Sequence, residues 1–176
     1  AELLDEMGTH VIEAGFPVNS EPEFEAVSDI AAATDATTCG LARVVEKDVD
    51  AAIDAGVDMV HVFVSTSDVQ LQDSMHASRE EAVDRAVSSV EQVRDAGLEV
   101  MFSPMDATRT DEDFPVEVVE AVSEAGVDCI NIPDPCRVAT PSRFASLIEL
   151  VGDHTDAHTA VHPHAAFGLA TPHAMH

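Results

Sequence analysis

Four times along the chain, a stretch with apolar residues spaced three and four apart runs into a glycine, and a short apolar segment follows at once. Glu6-Met7-Gly8 precedes His10-Val11-Ile12, and Asp54-Ala55-Gly56 precedes Met59 to Val64. Asp95-Ala96-Gly97 precedes Val100-Met101-Phe102, and Glu124-Ala125-Gly126 precedes Cys129 to Ile132. A glycine just past a helix end supplies a left-handed cap. The segments that follow are short, continuously apolar and rich in Val, Ile and Phe, as strands covered on both faces of a parallel sheet are. The pattern predicts strands near 10–14, 37–42, 58–65, 98–103, 127–132 and 157–162. It predicts helices over Glu21–Ala33, Lys47–Ala55, Ser78–Ala96, Asp111–Ala125 and Pro141–Val151. Ser78 with Glu81 has the spacing of a capping box, and Thr140-Pro141 reads as an N-cap followed by Pro at the first helical position.

Strict alternation of strand and helix leaves two α/β architectures, a doubly wound open sheet or a (β/α)8 TIM barrel. No glycine-rich dinucleotide or Walker loop is present. The strand ends instead carry Glu13, Arg43, His61, Ser103, Asp106, Asn131, Asp134, His162 and His164. Polar groups at the carboxyl ends of successive strands are how such barrels build active sites. A whole barrel takes about 250 residues, and this chain has 176. The expectation is a single incomplete barrel domain, about strands two to seven, that starts inside a helix of a longer protein. An open arc of this kind exposes strand edges, which predicts aggregation in isolation.

Composition adds one strong feature. Asp and Glu number 34 against 8 Lys and Arg, a formal net charge of −26 spread along the whole chain. Self-repulsion of this size is relieved by salt, which points to a salt-rich cytoplasm, as in a halophile. The alternative, an acidic mimic of nucleic acid, would not need the buried-strand patterns between the charges. Nucleic-acid binding would need a basic surface, so no such partner is expected. No apolar run approaches the roughly 20 residues of a membrane span, and Ala1 to Glu6 has neither the basic start nor the apolar core of a signal peptide. Three cysteines without a CxxC pair argue against a disulfide scaffold or zinc ribbon and suit a reducing cytoplasm. Cys39 and Cys129 lie in apolar runs and read as small core residues.

The sharpest candidate for chemistry is His162-Pro163-His164. In a strand, residues i and i+2 face one side, so two imidazoles would project together as ligands of one divalent metal. The alternative is a histidine-rich end, since His154, His158, His173 and His176 lie nearby, and Pro163 removes a ladder donor. Glu13 sits at a strand end before a Gly-Pro turn, where it reads as a site carboxylate or a solvated loop acid. His61 lies in an apolar run, where a satisfied core histidine is the plainer reading. Arg109, in the segment Asp106 to Asp113, could hold an anion, or Thr110 or Asp111 could cap the next helix. No paired Ser/His/Asp set is identifiable from the order of residues, and Cys39 has no activating base in view.

Taken in order, Glu13 to Ser20 (EAGFPVNS), Gly40 to Arg43 (GLAR), His61 to Ser67 (HVFVSTS), Phe102-Ser103, Asp106 to Arg109 (DATR), Ile130 to Asp134 (INIPD), Ala139-Thr140-Pro141, and His162-x-His164 with Gly168-Leu169-Ala170 form a recognisable series. The series resembles the 2-isopropylmalate, citramalate and homocitrate synthases, metal-dependent TIM-barrel enzymes related to hydroxymethylglutaryl-CoA lyase. The resemblance implies a Claisen-type condensation of acetyl-CoA with a 2-oxo acid on a divalent metal (Mg, Mn or Zn). It implies His162 and His164 as metal ligands, Glu13 and His61 as catalytic residues, and Arg43, Ser103 and Asn131 at the substrate. The family's Arg-Asp pair on the first strand and a further Asn ligand have no counterpart here. Met105, Pro135, Arg137, Ala165-Ala166 and His173 stand where the family usually has Glu, Thr, Gly, Asn-Asp and Asn. The resemblance implies a homodimeric cytoplasmic acyltransferase of leucine biosynthesis. Citramalate or homocitrate synthase, a lyase of the same superfamily, and an inactive piece of such an enzyme stay open as alternatives.

Overall fold

The computed structural model describes residues 1–136, 139–164, 168, 170 and 171. Six strands form one sheet: Val11–Gly15 (β1), Thr37–Arg43 (β2), Met59–Ser65 (β3), Glu99–Met105 (β4), Cys129–Asp134 (β5) and His158–Pro163 (β6). They lie in chain order and every neighbouring pair is parallel. Each lies within two residues of the expected segment. Between them run α1 (Glu2–Glu6), α2 (Glu21–Ala33), α3 (Glu46–Asp54), α4 (Asp68–Gln70), α5 (Arg79–Asp95), α6 (Asp113–Glu124) and α7 (Pro141–Gly152). The sheet curls into an arc of a TIM barrel, with the helices on its convex side. Among the described residues no helix is long and apolar enough to cross a membrane.

The alternation within each strand sorts the two faces. Val60, Val62, Val64, Val100, Phe102, Ile130 and Ile132 point outward and are buried under the helices. There they meet Val49, Val90, Val93, Phe114, Val118, Val122, Phe144 and Val151 in one cluster. The inner face carries His61, Ser103 and Asn131 in the same strands. Parallel strands covered by helices therefore read as continuous apolar runs, while the polar inner residues interrupt them only every second position.

Local signals behave as the sequence indicates. Gly8, Gly56, Gly97 and Gly126 all take positive φ directly after a helix. Ser78 and Glu81 form the full capping box, and Thr140 accepts from the backbone N–H of Arg143 ahead of Pro141. Pro163 closes β6, which pairs only with β5 among the described residues, so the missing donor leaves no rung of the ladder open. The segment between β3 and α5 was not legible. It forms α4 and a wider π turn over Leu71–Met75 that ends on His76 in the left-handed region.

The amino-terminal rim is stitched by carboxylates. Asp58, just before β3, accepts from the backbone N–H of Thr38 on β2 at 2.9 Å. Asp128, just before β5, repeats the arrangement with Val100 on β4 at 2.8 Å and also pairs with Arg94 at 3.0 Å. Asp5 takes the N–H groups of Asp35 and Ala36. Each carboxylate satisfies a donor where a strand begins and ties one β/α unit to the next.

Candidate active site

On the concave face, four side chains from four strands form a continuous hydrogen-bonded chain. Glu13 Oε2 lies 2.7 Å from His61 Nδ1, and His61 Nε2 lies 2.7 Å from Ser103 Oγ. Asn131 Nδ2 donates to the same Ser103 Oγ at 2.8 Å. Strand register explains the reach. Glu13 pairs through Cys39 with Met59, two residues before His61, and His61 pairs with Met101, two residues before Ser103. Strand tilt in a barrel brings such staggered positions level. His61 bridges from β3 to β1 across β2, which only a curled sheet permits.

Glu13 owes its aim to an irregularity. The β1–β2 register shifts between Glu13 and Gly15. Gly15 has φ of +153°, and a Cβ there would meet Val27 Cγ2 at 3.1 Å. Bulges beside active sites commonly re-aim a side chain in this way. The hydrogen bond with His61 holds the Glu13 carboxyl below the ordinary range, against partial burial that pushes it up. Glu13 is also the open member of the chain, with its side chain 39 % exposed against 6 % for His61. A Glu–His–Ser constellation therefore exists, although no such set is readable from residue order: its members are 48 and 42 residues apart.

His162 lies in register with Pro133, on the row one step beyond Asn131 toward the carboxyl ends. Its ring and that of His164 are stacked, with centroids 5.0 Å apart and planes 16° from parallel. The two imidazoles thus share one side, as the i, i+2 spacing requires. Their nitrogens suit a borderline divalent metal such as zinc. Among the described residues no group of three or more His, Cys, Asp and Glu is placed to hold a metal, so the donor set here amounts to these two rings. His162 is also near enough to Glu13 to help lower its carboxyl pKa through its charge.

Other expected residues sit apart from this chain. Arg43 is on the rim, where Asp48 takes its Nε at 2.5 Å and its Nη2 at 3.1 Å and the guanidinium covers the Phe16 ring at 5.5 Å. It is not drawn into the polar chain, and its partner Asp48 gave no sequence signal beyond a helix-start acid. Arg109 is likewise no free anion holder: both of its outer contacts go to Asp106. Thr110 does not cap α6: it bonds to the Asp106 carbonyl and Thr66. Asp111 pairs with Arg79, and its carboxylate also takes the backbone N–H of Phe114 in the first turn of α6. Asp106 is a buried hub in the left-handed region that also accepts from Ser67 and Cys136. Burial pushes its carboxyl up, but those donors outweigh burial and hold it below the ordinary range. Thr108 Oγ1 donates to Asp134, so the loops after β3, β4 and β5 are tied into one platform. Cys39 is buried and burial raises its thiol pKa. Cys129, expected in the core, is only half-buried, because it lies on the inner face in register with Met101. Met105 and Pro135 are described; Arg137, Ala165, Ala166 and His173 lie outside the described residues.

Comparison with known proteins gives the family and the fold. The HMGL-like family model matches residues 1–176. The chain is 51 % identical over 176 residues to a probable 2-isopropylmalate synthase of Methanopyrus kandleri, covering 99 % of this chain and 35 % of that protein. It is 43 % identical over 180 residues to the 2-isopropylmalate synthase of Sulfolobus acidocaldarius, covering 99 % of this chain and 46 % of that protein. The chain thus spans a third to a half of these relatives' length. Among solved structures it is similar to the HMG-CoA lyase of Bacillus subtilis, with a TM-score of 0.78 and 18 % identity, over 98 % of this chain and 63 % of that one. The hydroxymethylglutaryl-CoA lyase of Pseudomonas aeruginosa gives 0.77 and 21 %, over 98 % and 62 %. At these identities the structures carry the fold alone, and the match over the full chain carries the assignment: the protein belongs to the HMGL-like family.

Proposed function

We propose that this chain is the catalytic portion of a 2-isopropylmalate synthase, an acyltransferase that condenses acetyl-CoA with 2-oxoisovalerate in a cytoplasmic, homodimeric enzyme of leucine biosynthesis. The observation that carries the reading is the 51 % identity to a probable 2-isopropylmalate synthase across 99 % of this chain. The inner-face chemistry supports it. His162 and His164 are the residues that would hold a divalent cation, which when bound supplies a Lewis acid for the 2-oxo acid carbonyl. Glu13, ionised and open to the mouth, accepts the methyl proton of acetyl-CoA at its free carboxylate oxygen. His61 donates Nδ1–H to the other oxygen and fixes the carboxylate in place. Ser103 and Asn131 back His61 from behind and border the 2-oxo acid; Arg43, on the rim, meets the more distant anionic groups. No nucleic acid and no membrane is part of this reading.

The test is thiol release in the full-length protein supplied with a divalent metal, acetyl-CoA and one 2-oxo acid at a time. Release with 2-oxoisovalerate, and little with pyruvate or 2-oxoglutarate, is expected. Preference for pyruvate or 2-oxoglutarate would make it a citramalate or homocitrate synthase instead.

A further inference from the structure

The hydrogen-bonded chain leaves a question of proton placement that Asn131 answers. The carboxylate of Glu13 only accepts, so the His61 Nδ1 beside it carries a hydrogen. Nε2 is then either bare, in neutral His61, or protonated, in the imidazolium. Its partner Ser103 Oγ owns one proton and can serve either state. Asn131 narrows that choice. Its amide donates into one lone pair of Ser103 Oγ at 2.8 Å, and among the described residues no acceptor other than Nε2 is bonded to that hydroxyl, so a protonated Nε2 would leave the buried hydroxyl proton without a partner. Both groups are buried, Ser103 at 2 % and Asn131 at 5 % exposure, so solvent competes little for these bonds.

We propose that Asn131 is a positioning residue that acts through Ser103 to keep Nε2 of His61 free of a proton. The consequence falls on Glu13, and this part rests on the reading of Glu13 as the proton acceptor. An imidazolium beside a carboxylate weakens it as a base, whereas a neutral imidazole holds it in place and leaves its basicity higher. Asn131 touches neither the carboxylate nor the stacked histidines, yet it sets the charge of the group that touches Glu13. By strand register, the charged and titratable side chains at inner-face positions among the described strands are Glu13 on β1, Cys39 and Arg43 on β2, Glu99 on β4, Cys129 on β5, and His158 and His162 on β6. Cys39 is uncharged, since burial raises its thiol pKa. Among the described residues the hydroxyl of Ser103 is the group bonded to Nε2.

The experiment is nitrogen-15 NMR of histidine-labelled full-length protein at neutral pH, with His61 assigned by His61→Gln. The wild type should show an Nε2 resonance of the unprotonated type and an Nδ1 resonance of the protonated type. Asn131→Asp turns the donor into an acceptor. Ser103 should then donate to the new side chain and accept from Nε2, moving the Nε2 resonance to the protonated position. The reading is taken where the carbon resonance of the introduced carboxylate marks it as ionised. Asn131→Ala, which introduces no charge, should broaden or shift Nε2 without reaching that position, and covers the case in which the charged variant does not fold. A protonated Nε2 in the wild type, or an Nε2 resonance indifferent to both substitutions, overturns the proposal. The readout needs no turnover, so failure of the synthase reading and failure of this one are separable.

Discussion

The two rims of the arc use carboxylates in opposite ways. At the amino-terminal rim, Asp58 and Asp128 each accept from the second N–H of a neighbouring strand, and what they hold is backbone. At the carboxyl-terminal side, Glu13 holds an imidazole that holds a hydroxyl, and one carboxylate oxygen is left for solvent or ligand. The same residue type holds structure at one end and, at Glu13, is kept available at the other, where Asp106 still serves structure in the loops. The difference lies in partners: a backbone amide is satisfied once and for all, whereas an imidazole–hydroxyl chain can rearrange its protons. This division is what a barrel with its site at the carboxyl ends requires.

Substitutions can break the comparison or sharpen it. The largest effect is expected at Glu13→Gln. If Glu13 takes a proton from substrate, thiol release in the full-length enzyme falls by about 10²- to 10⁴-fold, while the melting temperature stays near that of the wild type. A substitution between the regions comes next. Gly15→Ala places a side chain at φ +153° and against Val27, so unfolding free energy drops by about 1–2 kcal/mol. Because the bulge aims Glu13, the rate falls as well, and parallel denaturant titration and initial rates would record both.

Asp106→Asn probes the platform under the loops. It should cost about 1–3 kcal/mol at neutral pH, because the buried hydroxyl of Ser67 and the partly exposed guanidinium of Arg109 lose a charged acceptor. The sign with pH follows from the lowered carboxyl of Asp106. A depressed group contributes its stability above its unfolded value, about 3.9, and loses it as pH falls through the still lower folded value. The gap between wild type and variant is therefore full above pH ~4 and closes below it, as urea titrations at stepped pH would record. The smallest effect is at Ser78→Ala, at the exposed start of α5 and outside the hydrogen-bonded chain of the inner face. Loss of the capping box should cost about 1 kcal/mol and leave the rate unchanged.

Much of this was legible along the chain, for physical reasons that also mark where legibility stops. Strands covered on both faces announce themselves as apolar runs, and glycine caps fix where helices end, so all six β/α repeats stood out. His162 and His164 were legible because i, i+2 in a strand is a local relation. The bond from His61 to Glu13 was not, because it spans 48 residues and depends on curvature. Arg43 was expected at the substrate, but nothing local reveals that Asp48, five residues on in the next helix, takes its guanidinium. Asp58 and Asp128 are two acids among the 34 along the chain, and their role appears only when the preceding strand is laid beside them. The π turn at Leu71–Met75 lacks the glycine and proline that would have marked it.

The division between the rims is tested most directly by measuring melting temperature and initial rate together for Glu13→Gln and Asp128→Ala in the full-length protein. Glu13→Gln, an isosteric change at the open end of the polar chain, is expected to lose most of the rate with little change in melting temperature. Asp128→Ala is expected to lower the melting temperature by several degrees, for the roughly 1–3 kcal/mol of an uncapped strand donor, at nearly unchanged rate per folded molecule. If Glu13→Gln instead melts early with normal turnover, or Asp128→Ala abolishes turnover while fully folded, the two ends of the arc do not divide stability and chemistry in this way.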